Sequence, residues 1–356
     1  MSKKLEIRLS PLEPFFFGND RTFFYGEDDI KRIGRRSYYV RSEKIPMQTT
    51  LFGVLRYLGI REVKNNYDIE EDIENIGSAS FRYTDKSQSF GRIQFISPLY
   101  LTTKNGMVYL PVPADHKLGE SRYTPFSDYK EVNTTVGKQY LPSDYNAKVG
   151  LAHGFINVKT GEVVPEDEIF CSEVKTGIDI NREKEGYYKM EYIRMNKDFS
   201  FAFQATVEDG FLETEKRVVY MGGKKSAFIA TVTRTEEVSP EEKFKYLLQS
   251  HSMPILYVAS DSILHDTDGI AGIESVENNS VFSVVDYKTA REYVTNYGER
   301  RQKDRFTKSE RLYRLIRAGS VFIPDPSKME EITNLFDDSH FNIIGMNYYI
   351  MGGSNK

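Results

Sequence analysis

This sequence predicts an α+β fold in two domains, and three observations carry that prediction. The chain has 356 residues, more than one ordinary domain holds. Short stretches with strand-like patterning outnumber helical ones along its length. Its aromatic residues are 23 Phe and 24 Tyr with no Trp, a bias that suits pleated, half-buried sheet surfaces.

The first strand is residues 5–12, where Leu5, Ile7 and Leu9 share a face. Pro11 and Pro14 stop its ladder. Residues 19–46 read as an extended insertion. A helix is expected over 49–59: Leu51, Val54, Leu55 and Leu58 form its stripe, Thr49 or Thr50 caps it and Gly59 ends it. Arg56 falls off that stripe and is expected on the surface. Strands are expected at 92–101 and 107–112 around Asn105-Gly106. Residues 114–168 read as a long insertion with little regular structure. Residues 186–194 and 199–207 read as one hairpin. Residues 217–221 and 227–232 are two more strands, separated by Gly222-Gly-Lys-Lys225. Ser239-Pro240 opens a helix whose apolar face is Phe244, Leu247 and Leu248. That restart divides the domains at 1–235 and 236–356. Strands follow at 255–258 and 281–285, a helix over 304–318, a strand at 321–323, a helix over 327–336 and a last strand at 342–350.

Composition excludes several classes. The single cysteine, Cys171, forms no internal disulfide and suits a reducing, cytoplasmic setting. It also rules out a cysteine-cage zinc site. The histidines at 116, 153, 251, 265 and 340 are too dispersed to suggest a shared metal, and no cofactor is expected. The most apolar stretch, 341–351, is too short to span a bilayer and contains Asn342, Gly345 and Asn347. The N-terminus has no apolar signal core.

The net charge of −4 argues against nucleic-acid binding, but binding follows local patches rather than the sum. Two segments are strongly basic. Residues 31–44 hold Lys31, Arg32, Arg35, Arg36, Arg41 and Lys44, interleaved with Tyr38 and Tyr39, against Glu43. Residues 300–317 hold eight Lys and Arg against Asp304 and Glu310. In the expected helix, Lys308, Arg311 and Arg314 share a face opposite Leu312, Leu315 and Ile316. A solvated surface explains both segments as well as an RNA contact does. The Gly222–Lys225 loop lets backbone amides approach an anion, although a plain turn accounts for it equally. His265-Asp266 sits in turn-like sequence, and His153 has no evident partner for acid–base work. No catalytic constellation emerges.

Six ordered segments resemble one family. Pro14-Phe-Phe-Phe-Gly-Asn-Asp-Arg-Thr-Phe23 looks like its opening, with Thr22 where the family has proline. Pro46-Met-Gln-Thr-Thr-Leu-Phe-Gly-Val-Leu-Arg56 looks like its entry to the first helix, and Tyr109-Leu-Pro-Val-Pro-Ala-Asp115 like a further segment. Thr176-Gly-Ile-Asp-Ile180 followed by Glu185-Gly-Tyr-Tyr188 matches with a shorter link. Met221-Gly-Gly-Lys-Lys-Ser-Ala227 matches with lysines replacing an acidic residue, and Gly319-Ser-Val-Phe-Ile323 completes the set. The family is the third subunit of the Cmr (type III-B) CRISPR effector complex, a Cas-five-like RAMP protein.

The resemblance implies two ferredoxin-like (RRM-like) domains with long insertions, at about 19–46 and 114–168. It implies a non-catalytic subunit that binds the five-prime repeat-derived tag of the guide RNA. That subunit docks on the large Cas-ten-type subunit and contacts a neighbouring RAMP backbone subunit, with no membrane partner. The RNA-binding positions it implies are Phe17, Gly18, Arg21, Arg35, Arg36, Tyr38, Thr49, Thr50, Arg56, Gly177, Gly222, Gly223, Lys224, Lys225, Arg311 and Arg314. The alternatives are a RAMP endoribonuclease that processes precursor guide RNA and the equivalent subunit of a Csm (type III-A) complex.

Overall fold

The structure is a computed structural model. It describes residues 1–18, 23–25, 38–60, 69–135, 137–146, 148, 150–179, 186–249, 251–264, 270–295 and 306–353. Strands dominate, with few helices, as the α+β reading expects. In chain order the first half contains β1 (Ser2–Pro11), β2 (Phe23–Tyr25), β3 (Tyr38–Val40), α1 (Gln48–Leu58), α2 (Ile69–Ile76), β4 (Ile93–Ile96), β5 (Tyr100–Thr103) and β6 (Val108–Pro111). It continues with β7 (Tyr129–Thr134), β8 (Gly137–Pro142), β9 (Gly154–Asn157), β10 (Val163–Pro165), α3 (Glu166–Ile169), β11 (Phe170–Asp179), β12 (Gly186–Met195), β13 (Phe199–Glu208), β14 (Glu215–Met221) and β15 (Ser226–Arg234). The second half contains α4 (Pro240–Leu248), β16 (Ile255–Val258), α5 (Ile270–Asn278), β17 (Ser280–Val284), β18 (Tyr287–Thr295), β19 (Phe306–Ile316), β20 (Val321–Pro324), α6 (Met329–Phe336), α7 (Ser339–Ile343) and β21 (Tyr349–Gly352).

A nine-stranded sheet organises the first half, in the order β10-β9-β6-β5-β13-β1-β15-β14, with β4 also on β13. Strand β1 lies between β13 and β15, antiparallel to both, with Ile7 opposite Phe203 on one side and Val232 on the other. Alternation sends Leu5, Ile7 and Leu9 to one face, where each is fully buried. There they meet Phe201, Phe203, Phe228 and the stripe Leu51, Leu55 and Leu58 of α1. The opposite face, over β5, β6 and β13, is covered by the second half. Tyr100, Leu110 and Ala202 pack with Phe244, Leu248, Tyr257, Val321 and Ile350.

The second half builds its own antiparallel sheet, β17-β20-β16-β21. Taking β16, β17, β20 and β21 as first to fourth, the spatial order is second, third, first, fourth. The first half repeats that order with β4/β5, β13, β1 and β15. One helix is missing from it: α5 and α6 flank the corresponding strands of the second sheet, whereas β14 stands between β13 and β15.

Four expectations are corrected, the first at the C-terminal end, where residues 342–350 hold the end of α7, an irregular stretch and the start of β21 and not one strand. Residues 306–316 form strand β19, paired with β18, and not a helix. Tyr313 and Leu315 are buried while Leu312 and Arg314 are exposed, which is a period of two. Residues 186–195 and 199–208 do not form a hairpin: β12 pairs with β11 and β3 in a separate four-stranded sheet, and β13 enters the main one. The 114–168 stretch is more regular than expected, since it holds the β7–β8 hairpin and supplies β9 to the main sheet. The 217–232 strands pair as a hairpin.

Glu241, in the first turn of α4, is buried between the two halves, and its Oε1 has no partner among the described residues. Burial pushes this carboxyl from its ordinary 4.5 up to about 7. The folded protein therefore holds the proton more tightly than the unfolded chain. The group's contribution to stability falls as pH rises from about 4.5 to about 7 and is lowest above that. Glu241→Gln removes the charged form, so it is expected to stabilise by on the order of 3 kcal/mol at about pH 8 and by less than about 1 kcal/mol at about pH 5. Urea denaturation at the two pH values checks this.

Candidate nucleic-acid interface

Part of the sequence-predicted set, Phe17, Gly18 and the Gly222–Lys225 turn, converges where the segment after β1 crosses between the main sheet and the β11-β12-β3-β2 sheet. Phe15 exchanges backbone hydrogen bonds with Ile193 of β12: its N–H donates to the carbonyl at 2.8 Å and its carbonyl accepts at 2.9 Å. The Phe16 N–H donates to Ser226 Oγ at 3.2 Å and the Phe17 N–H to Ser42 Oγ at 2.9 Å. The Glu43 N–H donates to the Phe17 carbonyl at 2.7 Å. Three consecutive residues are thus tied to three different elements, which fixes the segment as a rigid seam.

The side chains of that seam point both ways. Phe15 and Phe17 enter the main core, with ring centroids 4.8 Å apart and Phe228 stacked 6.1 Å from Phe17. Phe17 is consequently a core residue, and Gly18 beside it is exposed. Phe16 faces the smaller sheet, against Val40, Met190, Tyr188 and Tyr192.

The Gly222–Lys225 turn docks onto this seam. Gly222 has φ +73°, and a Cβ there would lie 2.3 Å from the Phe16 carbonyl oxygen, so only glycine permits the approach. Lys225 also adopts a left-handed φ of +53°, and its N–H closes the turn onto the Gly222 carbonyl at 3.0 Å. Gly223, Lys224 and Lys225 are exposed, and neither lysine has a side-chain partner among the described residues. The backbone is held by packing while two charges stand in solvent.

Beside it, the smaller sheet carries aromatic and basic side chains. Lys175 Nζ lies 4.6 Å over the Tyr192 ring, and Arg41 lies 5.5 Å over Tyr39. Burial and the neighbouring Glu191 carboxylate raise the Tyr39 hydroxyl above its ordinary range, so it stays a donor. Gly177, opposite Tyr188, leaves room for that ring, since a Cβ would sit 2.3 Å from it. Arg41 belongs to the basic 31–44 segment that the sequence offered as a possible RNA contact, whereas Lys175, Tyr192 and Tyr188 were not singled out as RNA-binding positions. Their signal was the alternation along 170–179 and 186–195, legible only once both strands share a sheet.

Other predicted positions separate from this cluster. Thr49 and Thr50 lie half-buried in the first turn of α1; neither caps it, because Met47 holds the N-cap position with no side-chain bond. Arg56 is buried, contrary to the expected exposure. It donates Nε–H to the Ile76 carbonyl at 2.8 Å and Nη2–H to the Gly77 carbonyl at 3.0 Å, capping the C-terminal end of α2. Arg311 and Arg314 stand on β19 of the second half. Arg314 is exposed, and the Arg311 guanidinium lies 5.3 Å over Tyr313. Tyr38 joins β3 opposite Tyr188. Arg21, Arg35, Arg36 and His265 lie outside the described residues.

The remaining histidines are largely internal. His251 Nε2 is 3.1 Å from Asp115 Oδ2, both wholly buried, and Tyr123 donates to the same carboxylate at 3.0 Å. His340 Nε2 is 2.7 Å from the Arg82 carbonyl and the ring stacks 4.4 Å from Phe81. His153 is exposed. No cluster of metal-ligating side chains occurs among the described residues, and none of the described helices is long and apolar enough to cross a membrane.

A family model described as CRISPR-associated protein (Cas_Cmr3) matches residues 7–330. Among solved structures, a chain of the type III-B Cmr-beta complex bound to cognate target RNA and AMPPnP aligns at 13% identity, covering 98% of this chain and 99% of that one, with a TM-score of 0.49. A second Cmr-beta structure bound to cognate target RNA aligns at 14% identity and a TM-score of 0.48, covering 98% and 96%. A chain of a Csm3-Csm4 subcomplex in the type III-A interference complex aligns at 14% identity and 0.35, covering 90% and 94%. No curated protein sequence matches the chain.

Arg56→Ala is expected to leave two buried carbonyls unpaired and to destabilise the fold by about 2–3 kcal/mol. A shift of the urea midpoint with an unchanged slope checks this.

Proposed function

The chain belongs to the CRISPR-associated protein (Cas_Cmr3) family, as its motifs led us to expect, and on that premise we propose that it is the non-catalytic subunit that holds the five-prime tag of the guide RNA in a type III-B effector. The observation that carries this reading is the Gly222–Lys225 turn: pinned at Gly222 against the Phe16 carbonyl, it holds Lys224 and Lys225 unpartnered in solvent. Lysine ammonium groups and exposed amides on a fixed backbone suit phosphate oxygens. Half-buried Tyr188 and Tyr192 on the adjoining sheet add rings on which splayed bases stack. The net charge of −4 does not oppose this, because binding follows local patches, and Lys224, Lys225, Lys175 and Arg41 lie at the turn and on the adjoining sheet.

Strand order supports two ferredoxin-like units, divided near 235. Both sheets repeat the order second, third, first, fourth, and the 236–356 unit carries both crossover helices. In this reading the β18–β19 hairpin and the β7–β8 hairpin are insertions free to meet the large Cas-ten-type subunit and a neighbouring RAMP subunit. The family match favours the Cmr assembly over the Csm equivalent. The endoribonuclease alternative would depend on His153, the exposed histidine among the described residues, or on His265, which lies outside them.

The double substitution Lys224→Glu, Lys225→Glu is expected to weaken binding of a tag-bearing guide RNA at least tenfold. It should also lower the magnitude of the log-affinity against log-salt slope by about 1.4, two phosphate contacts on a single strand. Titrations at several salt concentrations read both quantities, and an unchanged slope refutes the contact. His153→Ala is expected to leave precursor RNA as it was with the unsubstituted protein; loss of a cleavage activity on substitution would establish the endoribonuclease instead.

A further inference from the structure

Strand β14 is the outermost strand at one end of the nine-stranded sheet. Its side chains alternate. Val219 and Met221 are buried, while Lys216, Val218 and Tyr220 face the other way. Over β5 and β13 that other face is covered by the second half, through Tyr100 and Ala202. Over β14 and β15 it is open: Tyr220 is 62% exposed and Val218 45%. Register places Tyr220 opposite Ala227, Val218 opposite Ile229 and Lys216 opposite Thr231. The result is a floor with an aromatic ring at one end, next to Met221 and the Gly222 turn, and a lysine at the other.

Charge decides what such a floor suits. Lys216, Lys224 and Lys225 have no side-chain partners among the described residues. Glu6 is already bonded to Arg8 and to the Tyr100 hydroxyl, and one carboxylate, Glu13 just past β1, lies beside the floor and accepts the Ala227 N–H at 3.0 Å; three lysines outweigh it. Lysines are also common on sheet edges as protection against pairing, but edge protection does not call for an exposed tyrosine between them. An exposed ring flanked by free cations is what a stacked base and its phosphates require.

We propose that the open face of β14 and β15 is a second nucleic-acid surface, where single-stranded RNA running on from the Gly222–Lys225 turn stacks a base on Tyr220 and sets a phosphate on Lys216. This rests on the guide-RNA reading and extends it by naming a surface outside the seam.

The test is fluorescence anisotropy of the full chain with a labelled single-stranded oligoadenylate across a salt series. Tyr220→Ala is expected to weaken binding by roughly five- to a hundredfold, the range for one stacked base. Tyr220→Phe, which keeps the ring, is expected to stay within about twofold of the unsubstituted protein. Lys216→Gln is expected to lower the magnitude of the salt slope by about 0.7. Tyr220 is solvent-exposed, so these variants should fold, and matched thermal midpoints confirm it. If the lysine-turn variant weakens binding while Tyr220→Ala does not, the turn contact stands and this surface is overturned. Equal loss in Tyr220→Phe and Tyr220→Ala also overturns it, because stacking needs no hydroxyl. Retained oligoadenylate affinity in Tyr220→Ala with failed assembly into the effector would make the face a protein contact and overturn it. Absence of any salt-dependent binding by the unsubstituted protein would bring down the guide-RNA reading and this surface together.

Discussion

Strand β13 is covered on both of its faces. Phe201, Phe203 and Ala205 turn toward α1, and Ala202 turns toward Tyr257 and Phe244 of the second half. A sheet buried on both sides cannot slip by one residue, because a slip would exchange the two cores. The register with β1 is therefore rigid, and the positions of β15 and its hairpin follow from it. The same double burial makes the two halves one structural body. Tyr257 donates to the Pro111 carbonyl at 2.8 Å, and the buried His251–Asp115 pair spans the junction.

From that rigid sheet the candidate interface is reached in one step. The Phe15–Phe17 seam leaves β1 and alternates its rings between two sheets, so the smaller sheet is positioned by the larger one. The turn at Gly222 then docks on the seam by backbone contact alone. Its lysine side chains have no partners among the described residues, which leaves their charge available. Arg56 shows the opposite arrangement: a cation whose hydrogen bonds are spent on carbonyls inside the fold.

Local pattern was a good guide where an element's partner lies close in sequence. The 215–234 hairpin was legible because two glycines and two lysines sit between alternating runs. The helix over Gln48–Leu58 was legible from its apolar stripe, and Ser239-Pro240 from its opening. It failed where a spacing of three among charged residues was read as one face of a helix, although in a strand that spacing alternates between faces. Lys308, Arg311 and Arg314 are three apart, which suggested a helix, but pairing with β18 imposes the strand. It failed again at 186–207, where a short connection joins strands that part into different sheets. A chain segment does not carry the identity of its distant neighbour.

The residues alone determined the α+β class, the glycine turn with its lysines and the family, because each depends on residue type and order within a short span. Tertiary structure decided which of the cations stand in solvent, which aromatic rings line a surface and which fill a core. Phe17 and Arg56 both matched the family's motifs, yet one ring and one guanidinium are enclosed, while Lys175, Tyr192 and Tyr220 came to the surface without a motif to announce them. The physical reason is that exposure is a property of pairing between strands far apart in sequence, and a single strand's alternation says which residues share a face but not which face is covered.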